Sequence, residues 1–152
     1  MSSASATTSE SGKVHPTSQV GFGQGKAELY DSVRASYPPE VLSFSGKLVA
    51  GKSDLNAVEI GCGSGKFTRA LLAHPEWKQS IKELKCIEPN EGMCAVFSKM
   101  VDDPRVSLSD GTFDTTGVPD HRADLIVIAT VSFHWCQDLE VSTEEFIRQP
   151  RR

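Results

Sequence analysis

Glu59, Glu88, Asp110 and His134 are titratable residues set where chemistry would be expected, and they are organised around three glycines at alternate positions, Gly61, Gly63 and Gly65. The stretch from Leu55 to Thr68 reads LNAVEIGCGSGKFT. An apolar, β-branched run (Ala57, Val58, Ile60) leads into the glycines and a helix-like segment leaves them, which is the order strand, tight turn, helix. Backbone that carries no Cβ can lie flush against a ligand, and a helix starting there presents unpaired N–H groups to the same space. The turn reads as a cradle for a nucleotide-like cofactor, with Cys62 touching the ligand through its backbone. A lone G-x-G-x-G reads equally well as a glycine-rich surface turn.

Spacing narrows the cofactor. A dinucleotide fingerprint needs G-x-G-x-x-G, and the position of its third glycine is occupied by Lys66. Glu59 stands two residues before the first glycine, where a carboxylate suits a cofactor bearing an amine and would repel a pyrophosphate. A second apolar run, Leu84 to Ile87, closes on Glu88. An acid at the end of the second strand of such a unit can accept two hydroxyl hydrogen bonds from a ribose. The alternative for Glu88 is an exposed acid that caps a turn.

At these residues the sequence resembles motif I of the class I S-adenosylmethionine-dependent methyltransferases. The stretch YDSVRASYP (Tyr30 to Pro38) and the Phe133-His134-Trp135 run resemble the small-molecule branch that includes trans-aconitate and ubiquinone/menaquinone-type enzymes. The resemblance implies S-adenosyl-L-methionine as cofactor, with Tyr30, Arg34 and Tyr37 bordering its carboxylate end. It implies that Asp110, followed by Gly111, hydrogen-bonds the adenine amino group; an ordinary Asp-Gly turn is the other reading. Met93 lines an adenine slot or packs in the core. His134 orients an acceptor or takes its proton, since imidazole titrates near neutral pH, or else belongs to an aromatic plug. The activity implied is methyl transfer to a small-molecule acceptor such as a carboxylic acid. The competing expectations are a non-catalytic cofactor-binding remnant, an interaction subunit, and, against Lys66, an NAD-dependent oxidoreductase.

The elements that must hold these residues follow in order. Residues 1–25, rich in Ser, Thr and Gly, are expected to be a disordered tail. Leu29 and Val33 recur at helical spacing, Pro38 and Pro39 interrupt, and a second helix runs through Val41 to Val49 until Gly51. Phe67, Ala70, Leu71 and Leu72 give the helix after the glycine turn an apolar face, and it ends near His74 and Pro75. Trp77 and Ile81 fall in a linking segment. Asn90 caps a helix over Glu91 to Val101. Arg105 to Leu108 form a third strand, and Ala123 to Val131 a fourth, buried on both faces. This is an α/β fold: a doubly wound, mostly parallel, Rossmann-like sheet with helices on both faces. Residues 26–135 make up the cofactor domain, and Ser142 with Glu145 forms the capping box of one short helix in the tail 136–152.

The family fold continues beyond a fourth strand, so the C-terminal half is expected to be missing, the tail foreign to the family, and the fourth strand an open edge available to self-association or a partner chain. At 152 residues and a net charge of −4, the chain has length for one domain and no basic stripe for nucleic acid. No apolar run approaches a membrane span. The spacing of Cys62, Cys86, Cys94 and Cys136 suits neither a zinc site nor a disulfide framework, so no metal is expected. With no signal or transit pattern in the first residues, the expected location is the cytoplasm, with the nucleus as the alternative.

Overall fold

The computed structural model describes residues 16–22 and 25–151. Its centre is a four-stranded, all-parallel sheet in the order β3-β2-β1-β4, with β1 Leu55–Ile60, β2 Ile81–Ile87, β3 Val106–Ser109 and β4 Leu125–Val127. The helices are α1 Pro16–Gly21, α2 Lys26–Val33, α3 Pro39–Gly46, α4 Lys66–Ala73, α5 Pro75–Ser80, α6 Glu91–Met100 and α7 Leu139–Arg148. Three-residue and six-residue 3₁₀ turns follow α3 and β4.

Alternation along the strands builds two cores. Leu55 and Ala57 face a cluster with Leu71, Trp77, Leu84 and Phe97, while Val58 and Ile60 face one with Ile87, Phe113 and Val118. Glu59 shares the face of Ala57, which turns its carboxylate inward toward α4. A third, smaller cluster of Ala27, Met93 and Val96 ties α2 to α6, with Phe22 and Tyr30 against it. Asn90 caps α6 by accepting from the Met93 amide at 3.0 Å, as its sequence position predicts.

Several boundaries differ from the sequence expectation, each for a tertiary reason. The segment read as a linker is helix α5: Pro75 opens it, and Trp77 is buried with its indole N–H donating to the Leu42 carbonyl at 2.9 Å. Pairing of Leu55 with Ile81 starts β2 three residues earlier than its apolar run suggests. Part of the stretch expected to lack structure, Pro16–Gly21, is helical; residues 1–15, 23 and 24 lie outside the described residues.

The fourth strand is shorter than its apolar run. Leu125, Val127 and Ala129 pack on one core and Ile126 and Ile128 on the other, which explains an apolar residue at every position. Only β1 pairs with β4, so its side chains stay half-exposed at an open edge, and the chain leaves the sheet after Val127. The cap of α7 is Asp138, which accepts from the amides of Glu140 at 3.0 Å and Val141 at 3.1 Å; Ser142 and Glu145 do not form the predicted capping box. They face inward. Glu145 accepts from the Thr116 amide at 3.0 Å and from Arg148 Nε at 2.6 Å, fastening α7 to the loop after β3. Among the described residues, no helix is long and apolar enough to cross a membrane, and no cluster of ligating side chains could hold a metal ion.

Candidate cofactor site

The carboxyl ends of β1, β2 and β4 open onto a cleft of about 1040 Å³ counted out to its mouth. Its floor is the glycine turn. The Gly61 and Cys62 amides donate to the Ile87 carbonyl at 2.8 and 3.1 Å, binding the turn to the end of β2. Gly63 has a φ of +56°, and a Cβ built on it would meet nothing within 4 Å, so this residue presents bare backbone to the cleft. Gly65, at a φ of +80°, does different work. It caps α4, and a Cβ there would lie 2.6 Å from Val101 Cγ2 and 2.8 Å from Phe97 Cδ2, so it is a packing glycine that does not line the cleft.

Two carboxylates lie at the floor. Glu59 is buried, with Oε2 accepting from the Thr68 hydroxyl at 2.6 Å, while Oε1 has no hydrogen-bond partner among the described residues. Burial raises its pKa to about 7 against the opposing hydrogen bonds from Thr68 and Cys86. An unpaired, buried carboxylate oxygen is costly unless something arrives to bind it. Glu88, also buried, accepts from the Gly63 amide at 2.9 Å on Oε2 and from the Asn90 amide at 3.0 Å on Oε1. Burial raises its pKa too, over the lowering effect of those two amides. Each oxygen has a second lone pair left to accept a further hydroxyl.

One wall is the N-terminal segment. Arg34 lies over the Tyr30 ring, its Cζ 5.2 Å from the centroid, and donates to the Tyr30 hydroxyl. The sequence did not mark what holds this wall. Asp31 is buried and accepts from Ser64 Oγ at 2.5 Å and from Arg69 at 2.9 and 3.1 Å, and the Lys66 ammonium donates to the backbone carbonyls of Asp31 and Arg34. Burial pushes the Asp31 carboxyl up, but the bonds from Ser64 and Arg69 outweigh it and leave the pKa below the ordinary value. The lysine that excludes a dinucleotide fingerprint is therefore a clamp from α4 onto α2.

Tyr30, Arg34, Glu59, Gly61, Cys62 and Gly63 line the cleft as expected, and so do Glu88, Met93, Gly111 and Tyr37. Besides Gly65, two candidates do not. Asp110 is exposed past the end of β3, where Gly111 lines the cleft in its stead, although its charge reaches Glu88 and helps to raise that pKa. His134 is exposed, its ring centroid 4.2 Å from that of Trp135 and tilted by 41°, and Trp135 is the residue on the wall. The 3₁₀ turn over Thr130–Trp135 rotates each residue by about a third of a turn, which puts Trp135 on the wall and leaves His134 outside it. Sequence reasoning also passed over Phe22, Phe113 and Ser132, which line the cleft. Only their aromatic or hydroxyl character marked them.

The residues 58–151 match a family described as a methyltransferase domain, and the chain belongs to that family. The match runs through α7, so the tail expected to be foreign to the family is part of it. Solved structures share the fold. A methyltransferase in complex with the Haloferax volcanii Trm112 methyltransferase activator superposes with a TM-score of 0.69 at 17% identity, covering 91% of this chain and 57% of that one. A Methanococcus maripaludis protein described as an S-adenosyl-L-methionine-dependent methyltransferase gives 0.68 at 19% identity, over 82% and 56%. Haemonchus contortus phosphoethanolamine N-methyltransferase 2, in complex with phosphomonomethylethanolamine and S-adenosylhomocysteine, gives 0.73 at 13% identity, over 89% and 32%. The chain spans from about a third to somewhat over half the length of these structures. No curated protein sequence matches it. The family is that of a methyltransferase domain, and the fold is shared with methyltransferases described as S-adenosylmethionine-dependent.

Proposed function

We propose that this chain binds S-adenosyl-L-methionine in the cleft and transfers its methyl group to a small-molecule acceptor, with a carboxylic acid as the first class to assay. The observation that carries the reading is the buried, unpartnered Glu59 Oε1 beside the glycine turn. It accepts a hydrogen bond from the cofactor's ammonium, and Glu88 accepts from the ribose hydroxyls. Gly61 to Gly63 offer backbone without side-chain obstruction, Arg34 and Tyr30 face the carboxylate, and Met93 and Gly111 border the adenine. When bound, the cofactor supplies an electrophilic methyl on a positively charged sulfur. Displacement at such a carbon draws on orientation and a water-poor site, so the protein's part is to align and to exclude solvent. Phe113 and Trp135 supply apolar wall for that. His134 is not assigned a catalytic role, because its ring is not among the side chains that line the cleft.

Two further points belong to the proposal. The open edge of β4 is a surface for self-association or a partner chain, and the relative captured with an activator protein supports looking for one. The four cysteines, all free, support a reducing compartment such as the cytoplasm. Calorimetric titration with S-adenosylhomocysteine and, separately, with NAD tests the cofactor assignment. Binding of S-adenosylhomocysteine alone is expected, and Glu88→Ala should weaken it about 10- to 100-fold, the worth of hydrogen bonds to a charged group. Heat with NAD only, or an unchanged affinity in Glu88→Ala, refutes the assignment. A methyl-release assay over candidate acids then separates an enzyme from a cofactor-binding remnant.

A further inference from the structure

The free oxygen of Glu59 is set by a residue that does not line the cleft. Thr68 is the third residue of α4 and fully buried. Its hydroxyl has a single hydrogen, which it gives to Glu59 Oε2 at 2.6 Å. Cys86, the β2 residue in register with Glu59, adds a weaker contact from its thiol to the same oxygen at 3.8 Å, and lies 3.8 Å from the Thr68 hydroxyl. Both donors meet on Oε2, and Oε1 is left buried with no partner among the described residues. Glu59 lines the cleft, so Oε1 is the oxygen left for a ligand.

We infer that Thr68 is a positioning residue of the cofactor site: by holding Glu59 Oε2 it keeps Oε1 aimed at the ligand's ammonium, and so sets how strongly the site prefers a ligand that carries one. The inference rests on the assignment of S-adenosylmethionine to the cleft. A carboxyl pinned at one oxygen cannot turn, so Oε1 keeps its direction before the ligand arrives. Because Oε2 already accepts, a proton taken up by Glu59 sits on Oε1, and proton and ammonium compete for one atom. The hydroxyl also favours the charged carboxylate against burial. Of the elements around Glu59, β2 turns Cys86 and Glu88 toward it, the glycine turn Cys62 and α4 the Thr68 hydroxyl, while its β4 neighbour Val127 carries no charge. None of these is a cation, so the hydroxyl is the main support of the carboxylate's charge until a ligand binds.

Thr68→Val removes the donor at nearly constant shape, and Thr68→Ser keeps it. Calorimetry compares two ligands: S-adenosylhomocysteine, which carries the ammonium, and methylthioadenosine, the same nucleoside thioether without the amino-acid carbons. In Thr68→Val the affinity for S-adenosylhomocysteine near neutral pH should fall about tenfold, the worth of a hydrogen bond to a charged group, while methylthioadenosine stays within about threefold of the parent. Losing the donor raises the pH at which Glu59 gives up its proton, so the pH below which S-adenosylhomocysteine weakens should move up by about one unit. Thr68→Ser should restore both. Thr68→Ala carries the same loss of the donor if valine is not tolerated, and urea unfolding checks that each variant is folded. An equal loss for both ligands, an unmoved pH profile, or a failure of Thr68→Ser to restore affinity makes Thr68 a packing residue and overturns the inference. A parent protein that binds no S-adenosylhomocysteine would remove the cofactor assignment and the inference with it, an outcome distinct from binding that ignores Thr68.

Discussion

Two glycines of the same turn should fail in opposite ways when a methyl group is added. At Gly65 an alanine must hold a left-handed conformation, which costs about 1–2 kcal/mol, and its Cβ must enter space 2.6 Å from Val101 and 2.8 Å from Phe97. Overpacking of that kind costs about 1–3 kcal/mol more. Gly65→Ala should therefore lose about 2–5 kcal/mol, a large share of the roughly 5–15 kcal/mol that holds a domain folded. At Gly63 the conformational cost is similar but nothing lies within 4 Å of the new atom, so the stability loss should stay near 1–2 kcal/mol. The binding consequences invert. Gly63 faces the cleft and donates its amide to Glu88, so Gly63→Ala should weaken S-adenosylhomocysteine more than tenfold. Gly65 does not reach the ligand, and the folded fraction of Gly65→Ala should bind within about threefold of the parent. Urea unfolding followed by the fluorescence of Trp77 and Trp135 reads stability, and calorimetry at a temperature where both variants are folded reads affinity. If Gly63→Ala proves the less stable of the two, or if Gly65→Ala loses binding while Gly63→Ala keeps it, the division of labour within the turn is wrong.

The remaining predictions concern the two buried acids that do most to shape the fold around the cleft. Glu59 holds its proton up to about pH 7 when folded, whereas an unfolded chain releases it near the ordinary value of 4.5. Stability must then fall as pH rises from about 4.5 to about 7 and level off above, by roughly 3 kcal/mol at 1.36 kcal/mol per unit. The difference between the parent and Glu59→Gln in urea titrations across that window isolates the effect, and a flat difference would refute it. Pairing with an ammonium favours the charged carboxylate, so cofactor binding near pH 6 should release a proton, read from calorimetry in buffers of different ionisation enthalpy; no buffer dependence would count against the Glu59 contact. Glu145→Ala should cost about 2–4 kcal/mol, because it leaves the buried Thr116 amide without its acceptor and Arg148 with only Val118 and Asp120 as partners. A loss under about 1 kcal/mol in urea unfolding would show that α7 is held by its apolar contacts instead.

What could be read from the sequence was local. The run into Gly61 and the Asn90 cap are each set by residues within a few positions of one another, Glu88 is marked by closing the second apolar run 25 positions past Gly63, and the structure keeps all three. The clamp on α2 was not legible, since Asp31 meets Ser64 and Arg69 across 33 and 38 positions and each reads alone as a surface charge or hydroxyl. The cap of α7 was ambiguous for a related reason. Asp138 and Ser142 are both good capping residues, and the choice falls to Thr116, 29 positions from Glu145, which draws that acid inward. Leu139 and Ile147 are left 62% and 72% exposed as a result, against what hydrophobic pattern alone would suggest. At His134 and Trp135 the backbone has left the strand for a tighter helix, and its turn decides which of the two rings reaches the cleft.

The bridge between Ala123 and Pro150 has a bearing on how the open edge behaves in concentrated solution. The Ala123 amide donates to Gln149 at 3.0 Å and its carbonyl accepts from Arg151 at 2.8 Å, so the last described residues lay down one rung of a parallel ladder at the start of β4. In such a ladder the peptide groups of the middle residue point outward. That residue is proline, which has no hydrogen to give. The Pro150 carbonyl already meets His121 Nδ1 at 3.0 Å, so an incoming segment of another molecule would find neither donor nor free acceptor at this rung, whereas β4 beyond it stays open.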